Sequence, residues 1–149
     1  MSSPLQPDPA IREAVADLAV KDPRYPPQAH YWLLRSLDRL LETIAREEKD
    51  IRHVSGEELS MFLVARAVEE FGPMAADVMA VWGIHGTIDF GEMVYALIGA
   101  GVLSKTPKDR LADFEDVCDL QEALTSPFAA RGTSIPRDIR REPISAEDD

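Results

Sequence analysis

His53-Val54-Ser55-Gly56-Glu57-Glu58-Leu59, continued by Ser60 to Phe71 and closed by Gly72-Pro73, is the stretch that decides the fold. Ser55 with Glu58 three residues on reads as a capping box. The serine oxygen accepts the backbone N–H of Glu58, and the Glu58 carboxylate reaches back to the N–H of Ser55. Val54 and Leu59 stand where a hydrophobic staple would close across the same turn. Gly72 supplies the left-handed residue that ends the helix, and Pro73 suits the first position of the next one. A helix over 56–71 that turns sharply into another is therefore expected.

The same grammar extends in both directions. Downstream, Met74, Val78, Val81 and Trp82 give a short helix ended by Gly83, with a loop to Gly86. Thr87 is placed to cap a helix starting near Asp89, whose carboxylate suits the positive end of the helix dipole. Phe90, Met93, Val94, Leu97 and Ile98 line its buried side, and Gly99 and Gly101 stop it. Upstream, Leu33, Leu34, Leu37, Leu40, Leu41 and Ile44 form the broad apolar stripe of the longest helix. Its other face, with Arg35, Asp38, Arg39, Glu42 and Arg46, reads as solvated. Asp8-Pro9 starts a first helix that ends near Lys21, before Asp22-Pro23.

Thr106-Pro107-Lys108-Asp109 predicts a short helical turn to about Leu111, and Phe114, Val117, Leu120 and Leu124 predict a last helix. From Pro127 onward the chain has three prolines and few large apolar residues. That composition offers little burial to offset the entropy of ordering. The expected fold is all-α: a compact bundle of six or seven short helices over 8–125, an N-terminal extension at 1–7 and a disordered tail at 126–149. One alternative stays open, a small β-hairpin at 102–112, which would give the element order of a winged helix.

Composition bounds the function. With 149 residues, 45% of them hydrophobic, the chain is long enough for one core without staples. The single cysteine, Cys118, excludes an internal disulfide and a Cys-rich zinc module. The opening residues lack the basic start and apolar stretch of a secretory signal, which points to the cytoplasm. The longest apolar run, eleven residues from Met93 to Leu103, falls short of a membrane span. The net charge is -11, and -10 of it falls within residues 1–126. An acidic body repels phosphate backbones, so nucleic-acid binding is disfavoured.

Catalytic patterns find little support. Asp89-Phe90-Gly91 matches three letters of a kinase magnesium motif, but the glycine-rich and catalytic loops are missing. His30, His53 and His85 lie on separate elements without the i, i+4 spacing of a helical zinc site, and Ser55 already serves as a cap. No cofactor and no metal are expected. Two features suggest a partner surface. Asp113, Glu115, Asp116 and Asp119 form an acidic run without one basic residue, suited to a basic partner, with a solvated helix face as the plainer account. Trp82, beside the loop that carries His85, is a residue type enriched at interfaces, though core packing is the stronger account of it.

Four strings occur in order: His53-Val-Ser-Gly-Glu-Glu-Leu59, Phe71-Gly-Pro-Met-Ala75, Trp82-Gly-Ile84 and Asp89-Phe-Gly-Glu-Met-Val-Tyr-Ala-Leu-Ile98. Together they resemble a family of uncharacterised small proteins of planctomycetes, verrucomicrobia and some other bacteria, over about residues 28 to 124. A Tyr-Asp-Phe is usual near the end of such proteins, where this chain has Cys118-Asp119-Leu120. The resemblance implies no activity and no site residue. The expectation is a non-enzymatic protein-interaction or regulatory module, partnered by another protein with a basic surface; a homo-oligomer is compatible with the sequence. A winged-helix DNA binder and an enzyme of another type are the alternatives.

Overall fold

A computed structural model describes residues 8–48 and 52–129. It holds helices α1 (Pro9–Lys21), α2 (Pro27–Glu48), α3 (Gly56–Phe71), α4 (Ala75–Val81), α5 (Thr87–Gly99) and α6 (Leu120–Ala129). Two 3-10 turns, Gly72–Met74 and Leu111–Phe114, complete the order. No strand occurs among the described residues, and no helix there is long and apolar enough to cross a membrane. The hairpin left open at 102–112 is replaced by a loop that runs into the second 3-10 turn. Of the segment expected as a disordered tail, 126–129 belong to α6, and 130–149 lie outside the described residues, as does the extension at 1–7.

The helix ends follow from local chemistry. Asp8 accepts the N–H of Ala10 at 2.8 Å and opens α1. Ser55 accepts the N–H of Glu58 at 3.1 Å and opens α3. Only this half of the expected capping box has the expected partner. The Glu58 carboxylate takes the Arg52 guanidinium instead, with both contacts at 2.7 Å, and Arg52 also holds Glu48 at 2.9 Å. A charge-assisted fork outcompetes one backbone N–H, and it ties the end of α2 to the start of α3. The Arg52 cation holds the Glu58 carboxyl below its usual range. Ser55→Ala should cost about 1 kcal/mol through the lost cap, measured as a lower midpoint in urea; an unchanged midpoint would contradict the cap.

Helices α4 and α5 end alike. Ile84 N–H bonds the Met79 carbonyl and Gly83 N–H that of Ala80; Val102 N–H bonds Leu97 and Gly101 N–H bonds Ile98. Each is a Schellman turn around a left-handed glycine, Gly83 at φ 79° and Gly101 at φ 81°. Gly83 is doubly constrained, because a Cβ there would sit 2.6 Å from the Arg24 carbonyl oxygen.

Helix α2 packs on α3, and α5 lies against both; α1 covers α2 and α5, and α6 covers α3 and α4. Trp32 anchors the core, with ring centroids 5.7 Å from Trp82 and 6.2 Å from Phe71, and its indole N–H donates to Glu70 at 3.0 Å. Asp38, assigned by sequence to the solvated face of α2, is buried, and burial pushes its carboxyl up. The stripe of α2 is thus wider than its leucines suggest, taking in Ala29, His30, Trp32 and Ser36 as well.

His30 is also in the core, 1% exposed, with both ring nitrogens lacking a hydrogen-bond partner among the described residues and its ring edge-on to Tyr25. Burial pushes its pKa below the ordinary 6.5. The unfolded chain therefore takes the proton first, so this contribution to stability is complete above about pH 6.5 and is lost as pH falls below it. The thermal midpoint should fall between pH 7 and pH 5, and His30→Leu should flatten that slope. An equal slope in both proteins would refute the assignment.

Candidate functional site: a groove and an acidic depression

The site is built around Phe114. Its ring lies over Gly56 of α3 and Gly91 of α5, where an added Cβ would come within 2.9 Å and 2.7 Å of ring carbons. Two helices approach one ring only because both lack a side chain there. Thr87 completes the clamp: its buried hydroxyl donates to the Phe114 carbonyl at 2.7 Å and accepts the N–H of Val117 at 3.1 Å. Thr87 is therefore not the cap of α5. Asp89 takes that role, accepting the N–H of His85 at 2.8 Å and of Gly86 at 3.1 Å, while its other oxygen accepts the Tyr25 hydroxyl at 2.5 Å.

The clamp reshapes the acidic run. Residues 113–121 are not one helix face. Phe114 ends a 3-10 turn, Asp116 adopts a left-handed φ of 46°, and α6 starts at Leu120. The bend at Asp116 is what delivers the Val117 N–H to Thr87, and aspartate tolerates that conformation better than most residues. The helical turn expected at Thr106–Leu111 is likewise only a tight turn, closed by Asp109 N–H to the Thr106 carbonyl at 3.0 Å.

Between α2, α3, α5 and the clamped 102–114 segment lies a groove of about 510 Å³. Leu37, Leu41, Leu59, Val94, Ile98 and Leu103 give it an apolar floor, and its rim carries Arg52, His53, Thr106, Asp109, Arg110 and Asp113. Asp109 Oδ2 accepts the Thr106 N–H at 2.7 Å, Asp109 Oδ1 stands 3.4 Å from His53 Nε2, and Thr106 Oγ1 stands 3.5 Å from His53 Nδ1. The Tyr95 hydroxyl is buried in this wall with no hydrogen-bond partner among the described residues. Burial, with Asp109 and Asp113 nearby, pushes its pKa up. The size and mixed lining of the groove suit a ligand with both apolar and polar groups.

A second depression of about 380 Å³ adjoins the groove and shares Ser55 and Asp113 with it. Glu57, Glu115, Asp116 and Val117 complete its lining, which includes no Lys or Arg. Three of the four acids nominated by sequence, Asp113, Glu115 and Asp116, thus meet at one place, joined by Glu57 from α3. Asp119 is apart, accepting the Glu122 N–H at 3.1 Å at the start of α6. Trp82 is half-buried in the aromatic core and His85 is exposed in the α4–α5 loop, neither of them lining the groove or the depression.

The three histidines are on separate elements, and no group of three His, Cys, Asp or Glu among the described residues is arranged to hold a metal. Burial and the neighbouring Asp119 push the Cys118 thiol up, against thiolate formation. A third concavity, about 550 Å³ between α1 and α5, is lined by Ala10, Ala14, Ala96, Gly99 and Ala100 with Glu13, Asp17 and Lys21. Comparison with protein families, with curated proteins and with solved structures finds no match for this chain.

Sequence reasoning missed His53–Asp109, Tyr95, Thr87 and Glu57. The signals were weak in kind: Thr87 read as a cap, and Glu57 and Tyr95 each as one residue of a helix. Their meeting depends on Phe114, whose glycine cradle comes from positions 35 residues apart.

Proposed function

We propose that this chain is a non-enzymatic interaction module that binds a basic, apolar-anchored segment of a partner protein. The observation that carries this reading is the continuity of the apolar groove with the acidic depression across Ser55 and Asp113. An amphipathic segment would lay its apolar side chains over Leu41, Ile98 and Leu103 and set Lys or Arg against Glu57, Asp113, Glu115 and Asp116. Grooves of this kind take anchors at helical spacing, while opposite charge speeds encounter and fixes orientation. The charge balance of residues 1–126 works in the same direction. The resemblance to small bacterial proteins suggests no activity and so leaves this reading to stand on the surface alone.

The winged-helix alternative loses support from the loop at 102–110 and from α5, whose charged side chains are Asp89 and Glu92. Fluorescence anisotropy with a short labelled amphipathic Leu/Lys peptide tests the proposal. Binding that weakens with salt supports it, whereas equal binding of a Leu/Glu peptide, or none of the Leu/Lys peptide, would overturn it.

A further inference from the structure

The chain contains a segment with the chemistry of such a partner. Residues 131–141, Arg-Gly-Thr-Ser-Ile-Pro-Arg-Asp-Ile-Arg-Arg, carry four arginines against one aspartate, with Ile135 and Ile139 between them. Residues 1–126 have the opposite balance, 12 basic against 22 acidic side chains. We propose that Arg137, Arg140 and Arg141 dock in cis on Glu57, Asp113, Glu115 and Asp116, with Ile139 over the groove, so that the chain's own segment competes with the partner. This rests on the reading that the surface binds basic apolar segments.

Reach permits the contact. Helix α6 has ten residues and rises about 15 Å. The steps from Asp116 to Leu120 add at most about 14 Å, so Ala129 lies within about 30 Å of the depression. Twelve residues of extended chain from Ala129 to Arg141 span about 40 Å, and the eight to Arg137 about 27 Å. Tethering over such a span gives an effective concentration on the order of mM. A segment that binds in trans at about 0.1 mM would then occupy the surface roughly nine-tenths of the time. Exposed charge pairs contribute little singly, but three arginines facing four carboxylates, held by a tether, need only weak intrinsic affinity. The contact would loosen as salt rises.

The test uses the full chain and its Arg137→Gln/Arg140→Gln/Arg141→Gln variant, each titrated with the labelled Leu/Lys peptide. All three positions lie outside the described residues, and matching thermal midpoints would verify that the fold is unchanged. At about 20 mM salt the variant should bind the peptide about tenfold more tightly than the unaltered chain, and the gap should close at about 500 mM salt. Equal, measurable binding by both chains would overturn the cis contact and leave the surface reading intact. Binding by neither would overturn both. A gap that grows with protein concentration would assign the segment to a second copy and so contradict docking in cis.

Discussion

Phe114→Ala should lower the unfolding free energy by about 3–5 kcal/mol, the range for removing a buried aromatic ring, and should loosen the site as it does so. The ring fills the space left by Gly56 and Gly91, and neither glycine has a side chain to move into the void. Its backbone carbonyl is also the acceptor of the buried Thr87 hydroxyl, so displacement of the segment leaves that hydroxyl exposed to a poorer partner. Urea unfolding monitored by circular dichroism measures the loss. Hydrogen exchange should report faster opening at Val117, whose N–H bonds Thr87. Gly91→Ala approaches the same contact from the other side: a Cβ 2.7 Å from the ring should cost about 1–3 kcal/mol by overpacking. Adding Phe114→Leu, which trims the ring, should recover part of that loss rather than add to it. Additive effects would mean that the ring and the glycine do not share one space.

The cradle also explains what was legible in the sequence and what was not. Caps, left-handed glycines and proline starts act within a few residues, and they placed α1, α3 and the end of α5 closely. Asp8, Gly72 and Gly101 behave as their local chemistry requires. Where a side chain has a second, distant partner, the local reading gave way. Glu58 turns from the Ser55 N–H to Arg52, and Thr87 turns from capping α5 to clamping Phe114. The apolar spacing of Phe114, Val117, Leu120 and Leu124 suggests one helix, yet the first two residues belong to a clamp that holds the chain bent at Asp116. Of the candidate site, the acids Asp113, Glu115 and Asp116 were visible as a run of charge. Glu57 and the groove beside them arise only when α3 and the 111–117 segment meet.

The second large effect concerns binding. Asp113→Asn/Glu115→Gln/Asp116→Asn keeps the shape of the depression, suits the left-handed backbone at 116 and removes three charges. Each exposed charge pair contributes on the order of 0.5–1 kcal/mol at low salt, so the three together should weaken the Leu/Lys peptide by about tenfold to 150-fold. Arg110, which bonds Asp113 at 3.1 Å, keeps an amide oxygen to pair with after the change. The fold should therefore persist, with the thermal midpoint close to that of the parent chain. Leu103→Ser should weaken the same peptide by removing apolar floor, and that loss should persist at high salt. The two variants thus separate the charged from the apolar part of the surface.

One titration addresses the whole account: the Leu/Lys peptide against the Arg137→Gln/Arg140→Gln/Arg141→Gln chain, with and without the three acid substitutions, at about 20 mM and about 500 mM salt. Binding that falls about tenfold or more on neutralising Asp113, Glu115 and Asp116 at low salt, and much less at high salt, is the predicted result. Binding indifferent to those three carboxylates, or no binding to either chain, would contradict it.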